Sequence, residues 1–178
     1  MRITFYISLL VITACAGTGN KTKAQMDAVK DVDINRYMGT WYEIARFPHS
    51  FEKNLQGVTA TYTLRDDGRV NVLNQGYKNS LSGKLKKARA MAKIPDKSQP
   101  GRLKVYFFPL FGAAYNILEL DQEHYQYALV GSSSPGYLWL LGRNPVMPSD
   151  VYQMLVEKAA MRGYDVSKLT RVLQKSPE

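Results

Sequence analysis

The run Val58-Thr59-Ala60-Thr61-Tyr62-Thr63-Leu64 sets apolar side chains at 58, 60, 62 and 64, and Arg65-Asp66-Asp67-Gly68-Arg69 follows it with an Asp-Gly pair. A period of two marks a half-buried strand, and Asp-Gly between two such runs is the strongest short-range hairpin signal. Val70 to Tyr77 answers as the returning strand. Outward from this hairpin the same period continues. Trp41 to Phe47 precedes it; after it, Lys86 to Ile94 alternates Ala88, Ala90 and Ala92 with Lys87, Arg89, Met91 and Lys93. Leu103, Val105 and Phe107 then alternate with Arg102, Lys104 and Tyr106. Ala114 to Leu120, His124 to Gly131 and Tyr137 to Gly142 complete eight strands, with connections short enough for antiparallel neighbours. The pattern predicts an all-β fold, an eight-stranded antiparallel up-and-down barrel. One segment departs from it: Val151, Met154, Leu155 and Ala159 lie at helical spacing, Ser149 is placed to cap, and Gly163 stands where a helix stops. A single C-terminal α-helix packed on the barrel wall is expected, with Val166 to Leu173 as a ninth strand.

The 178 residues are 45% hydrophobic and 22% charged, which suits one domain with a sizeable core and excludes a charge-rich disordered chain. The formal net charge of +9 is local in origin, since Lys84 to Lys104 holds eight basic residues against Asp96 alone. Lys87, Arg89, Lys93, Arg102 and Lys104 share the outward parity of one two-stranded ribbon, either a solvated face or an attraction for anionic lipid headgroups. The one cysteine, Cys15, excludes a disulfide framework and cysteine-based metal clusters. It follows Arg2 and an apolar run, Ile3 to Ile12, too short to span a bilayer. Ile12-Thr13-Ala14-Cys15 resembles a bacterial lipobox, which implies cleavage before Cys15 and lipidation of that residue. The expected organisation is a signal peptide over 1–14, a lipidated Cys15 with a flexible tether over 15–30, and the barrel domain over 31–175. Ala16 after the cysteine resembles an outer-membrane address, so the expected location is the outer membrane, lipid-anchored and facing the periplasm. Nucleic acid is excluded as a partner on that ground.

Gly39-Thr40-Trp41-Tyr42-Glu43-Ile44 resembles the G-x-W-Y signature that opens the first strand of lipocalins, preceded by a helical turn at Asn35-Arg36-Tyr37-Met38. Tyr137-Leu138-Trp139-Leu140-Leu141-Gly142-Arg143-Asn144-Pro145 resembles the family's last barrel strand ending in Arg. Asp121 and the later Tyr127-Ala128 are what this chain keeps of the family's turn between strands six and seven. The resemblance runs from about Val32 to Leu173 and is closest to the bacterial outer-membrane lipocalins, relatives of apolipoprotein D. It implies that Gly39, Trp41 and Arg143 close one end of the barrel and are structural, the Arg143 guanidinium lying over the Trp41 indole.

Candidates for catalysis are few. His49 falls at the open end and His124 at the closed end, and Glu43 and Glu119 are the obvious inward acids, each placed to bond backbone or Arg rather than to form a dyad. No catalytic residue, metal ligand set or cofactor is expected, and the chain is expected not to be an enzyme. The inward residues Tyr62, Asn74, Val105, Phe107, Tyr115, Ile117, Val130, Tyr137 and Trp139, with Phe51 at the mouth, are the expected ligand contacts. A mouth formed by Arg46 to Phe51 and Phe108 to Gly112 leads to an apolar cleft suited to the acyl chain of a fatty acid or lysophospholipid. Two alternatives stand: a filled-barrel envelope protein acting through its basic surface, and a lipid-modifying barrel enzyme.

Overall fold

A computed structural model describes residues 26–108 and 111–175, with Phe108 and Phe111 described by their backbone alone. Cys15, the signal segment and most of the tether lie outside the described residues, as do Pro109 and Leu110 of the expected mouth loop. The strands are β1 (Gly39–Arg46), β2 (Leu55–Leu64), β3 (Val70–Lys78), β4 (Leu85–Lys93), β5 (Arg102–Phe108), β6 (Phe111–Leu120), β7 (Tyr127–Gly131), β8 (Leu138–Gly142) and the two-residue β9 (Thr170–Arg171). They form one antiparallel sheet in which each of β2 to β8 pairs with the next, β8 pairs with β1, and β1 pairs back with β2, closing an eight-stranded barrel. The Asp-Gly hairpin behaves as read: Gly68 takes a φ of +77° and Leu64 pairs with Val70 across the turn.

Helix α1 (Ile34–Tyr37) leads into β1, its start capped by Asp33, whose Oδ1 accepts from Asn35 N at 2.9 Å. Helix α2 (Ser149–Met161) follows the barrel and lays Leu155 and Ala159 on the outer face of Ala45, Leu118, Leu129, Leu138 and Leu140. Burying a Leu side chain of this kind is worth about 2 kcal/mol. Ser149 does not cap α2; Pro148 holds the capping position without a side-chain hydrogen bond, and Ser149 is the first helical residue. Gly163 ends the helix in the left-handed region at φ +84°. The ninth strand is shorter than expected because Val166–Lys168 winds into a 3-10 turn first. His124 is likewise outside β7, for Asp121 accepts from His124 N and Gln126 N and holds residues 121–126 as a turn.

Register irregularities interrupt four of the strand pairings, and two of them move a charged side chain from the side its alternation predicts. One in β1 between Glu43 and Ala45 turns Ala45 outward against α2 and Arg46 inward. The other, in β6 between Ile117 and Glu119, takes Glu119 away from the interior expected for it. Glu119 faces α2, where Arg162 Nη2 donates to it at 2.8 Å and Lys158 Nζ lies 3.2 Å away. Pairing between β4 and β5 is confined to Met91–Tyr106, Ala92–Val105 and Lys93–Lys104. Leu85 to Ala90 therefore have β3 on one side and, among the described residues, no strand partner on the other.

Candidate functional site

One end of the barrel is plugged. The Arg143 guanidinium lies 3.9 Å over the Trp41 ring and donates to the backbone oxygens of Thr40 (3.1 Å), Arg36 (2.7 Å) and Tyr125 (3.2 Å). Trp41 Nε1 donates to Tyr37 O at 2.9 Å, and the two rings sit 4.9 Å apart. Gly39 has a φ of +94°, and a Cβ there would stand 3.2 Å from Arg143 Nη1, so glycine is required on both counts. Above the plug Ile117 and Val130 are fully buried with Val70, Ala92 and Ala128. They face inward, pack into the base and are not among the residues that line the cavity. Alternation gives the side of the wall a residue faces and says nothing of its depth.

Over this base opens a cavity of about 1150 Å³, at the upper end of ordinary ligand pockets. Tyr62, Asn74, Val105, Phe107, Tyr115, Tyr137, Trp139 and Phe51 line it, as do Val58, Val72, Ala88, Leu141 and Ser132 to Ser134. Its rim carries exposed aromatics, Phe51 (56%), Phe107 (40%) and Tyr137 (37%). The rim is also cationic: Lys53, Lys78, Lys86, Lys87 and Arg89 border the cavity, against one carboxylate, Glu52. Lys86 pairs with Gly76 and shares the parity of Ala88, a position whose charge the sequence reading passed over. Of the basic stripe, Lys87 and Arg89 thus belong to the mouth, whereas Arg102 reaches Asp27 at 3.4 Å and Lys93 and Lys104 flank the Tyr106 ring.

The interior holds a charged cluster that the sequence reading missed. Arg46, turned inward by the β1 bulge, bonds the Glu43 carboxylate and donates through Nη2 to the backbone oxygens of Glu52 (2.9 Å) and Leu55 (3.1 Å). Glu52 Oε2 accepts from Trp139 Nε1 at 3.3 Å and lies 2.9 Å from His49 Nε2. That last approach is an ion-pair contact, and both His49 nitrogens are buried without a hydrogen bond among the described residues. The His49 ring stacks on Phe51 at 3.9 Å between centroids. Burial pushes the Glu43 carboxyl well above the usual range, with the Glu52 charge adding to it, and Arg46 only partly offsets them. Burial also pushes Glu52 up, but the contacts from His49, Trp139 and Arg46 outweigh it and hold Glu52 below the usual range. The cluster thus ties the loop after β1 to the wall. His124 lies apart from it, exposed in the turn beside Glu123.

At the floor three phenols meet: Tyr62 Oη donates to Tyr115 Oη at 3.0 Å, and Tyr115 Oη lies 2.7 Å from Tyr37 Oη. Burial raises all three above the ordinary phenol range, so they stay protonated.

The family described as the lipocalin-like domain matches residues 32–174. The chain is 40% identical to the outer membrane lipoprotein Blc of Vibrio cholerae over 175 residues, 98% of this chain and 99% of that one. It is 36% identical to apolipoprotein D of Mus musculus over 149 residues, 79% and 76% of the two chains. Among solved structures, lobster apocrustacyanin A1 superposes with a TM-score of 0.66 at 19% identity, over 89% of this chain and 94% of that one, a likeness of fold.

Proposed function

This chain belongs to the lipocalin family, whose barrels hold hydrophobic ligands, and from that premise we propose that it is a lipid-anchored outer-membrane protein binding a fatty acid or lysophospholipid. The observation that carries this reading is the union of an apolar shaft with five cations that border its mouth, the one lining carboxylate, Glu52, being buried in the interior cluster. An acyl chain in the shaft leaves an anionic carboxylate or phosphate at the mouth, where Lys and Arg are worth most. The filled-barrel alternative has no support, since the interior is open above its base. The buried Glu43–Arg46–Glu52–His49 cluster supports a binder more than an enzyme, because its charges are spent on one another and on loop carbonyls.

The name of the Vibrio cholerae relative supports an envelope address, and Cys15 is the residue we assign to the lipid anchor, with the barrel facing the periplasm. Lys87, Arg89, Lys93, Arg102 and Lys104 would then face anionic headgroups across a short distance, at about 1 kcal/mol per residue near a surface. The test is a fluorescence titration of delipidated protein with palmitate and with lysophosphatidylethanolamine. Trp139 lines the cavity whereas Trp41 is sealed in the plug. Saturable change in emission that Trp139→Phe abolishes is the expected result; no saturable binding of either lipid overturns the reading.

A further inference from the structure

We propose that the floor of the cavity is a second polar subsite, built on Tyr115 with Tyr62 and Tyr37 behind it, that takes a hydrogen-bond acceptor carried at the far end of the bound chain. This deepens the amphiphile-binding reading and rests on it: the ligand class is a chain with an anionic head at the rim and a hydroxyl, carbonyl or second carboxyl at its other end.

A count of protons carries the argument. The three phenols own three O–H protons and share two hydrogen bonds, so one proton is left without a partner inside the cluster. Tyr62 donates to Tyr115, which leaves two arrangements for the remaining bond. If Tyr115 donates to Tyr37, the spare proton sits on Tyr37, whose side chain is fully buried and whose hydroxyl has no second partner. Burying an unpaired donor there costs more than leaving it at the half-buried Tyr115, which lines the cavity. Tyr37 therefore donates to Tyr115, and the Tyr115 proton is directed at the cavity.

The surroundings then select what meets it. Val72, pairing with Tyr62, and Val105, two register positions along from the Leu103–Tyr115 pair and on the same face, make the floor apolar apart from the hydroxyls, with Leu141 beside them. A lone water is held well by two to four polar partners, and this floor offers it only the phenols. Along β3 the rim residue Lys78 stands six positions from Val72, about 20 Å at strand rise, so a long acyl chain with its head at the rim reaches the floor. The asymmetry of hydrogen bonding completes the selection. A chain ending in a methyl leaves the Tyr115 proton unpaired, and a chain ending in an oxygen pairs it.

The experiment compares palmitate with ω-hydroxypalmitate, by Trp139 emission, on the wild-type protein and on Tyr115→Phe and Tyr62→Phe. In the wild type ω-hydroxypalmitate should bind about tenfold tighter than palmitate, where a wholly apolar floor would make it at least tenfold weaker. Tyr115→Phe, which keeps the ring volume, should erase that preference while palmitate binds as before or better. Tyr62→Phe removes an incoming donor and leaves the Tyr115 proton in place, so the preference should survive it. Equal or weaker binding of ω-hydroxypalmitate to the wild type overturns the proposal, as does a preference that persists in Tyr115→Phe. The wild-type comparison decides even if a variant does not fold. Failure of the amphiphile reading looks different: palmitate itself would not bind saturably.

Discussion

Glu43 carries the residue-scale consequence, because folding buries its carboxyl and raises its pKa. Its native pKa is raised above the ordinary 4.5, so the native state binds more protons than the unfolded chain in the window above that value. Its contribution to stability is complete below about pH 4.5 and is lost as pH rises toward the raised value, at up to about 1.4 kcal/mol per pH unit. Glu43→Gln is free of that loss, so its melting temperature relative to wild type should climb as pH rises above about 4.5. Glu52 has the opposite sign, its pKa being lowered. Glu52→Gln should cost stability at neutral pH and progressively less on acidification through the range below 4.5. Melting curves recorded across that range check both, and parallel profiles for the two variants would contradict the assignment. The sequence could not display this pair. Glu43 was legible as an inward acid, but Arg46 comes inward only through the bulge after Glu43, and nothing in Ile44-Ala45 announces a bulge. Trp41 and Arg143 were legible because β1 keeps strict alternation up to Glu43 and the plug lies before the irregularity.

Elements were read with the same strengths and limits. Eight strands and one helix follow from periodicity alone, and the errors gather at ends and bulges: His124 placed in β7, Ser149 taken as a cap, Glu119 turned inward. Each is a case in which a local hydrogen bond or an extra residue overrides a pattern that counts by twos. The β4–β5 ribbon offers an element-scale test. Lys93 and Lys104 stand directly opposite one another in a short ladder of three pairs, and like charges so placed destabilise a sheet. Their contact with the Tyr106 ring, at 5.3 and 5.7 Å, relieves only part of that repulsion. Lys104→Glu should therefore stabilise the barrel by about 0.2–1 kcal/mol in low salt. The gain should fade as salt is added, which denaturant titrations at two ionic strengths would register. A salt-independent loss would mean that the Lys104 stem is needed for packing.

For the whole molecule, the plugged base, the phenolic floor and the cationic mouth lie in series along one axis, and Cys15, the proposed anchor residue, lies outside the described residues. Cys15→Ser should move the protein from the membrane fraction to the soluble fraction and abolish labelling with a radioactive acyl precursor, while the barrel's melting temperature stays unchanged. Continued labelling of that variant would sink the assignment of Cys15. Along β4 the wall has a seam, the stretch Leu85 to Ala90 that pairs with β3 and, among the described residues, has no partner toward β5. In an antiparallel strand successive amides point to opposite neighbours, so every second N–H of this stretch is tied and every other one is not. Exchange with heavy water should consequently be fast and slow by turns from 85 to 90, against uniformly slow exchange through Val70 to Asn74, whose strand is flanked on both sides. A barrel with such a seam can widen by splaying one edge and leave its plug undisturbed, so under the proposed reading chains of different girth would load at little cost, and the thickness of a bound chain should be written in the exchange rates of those three amides.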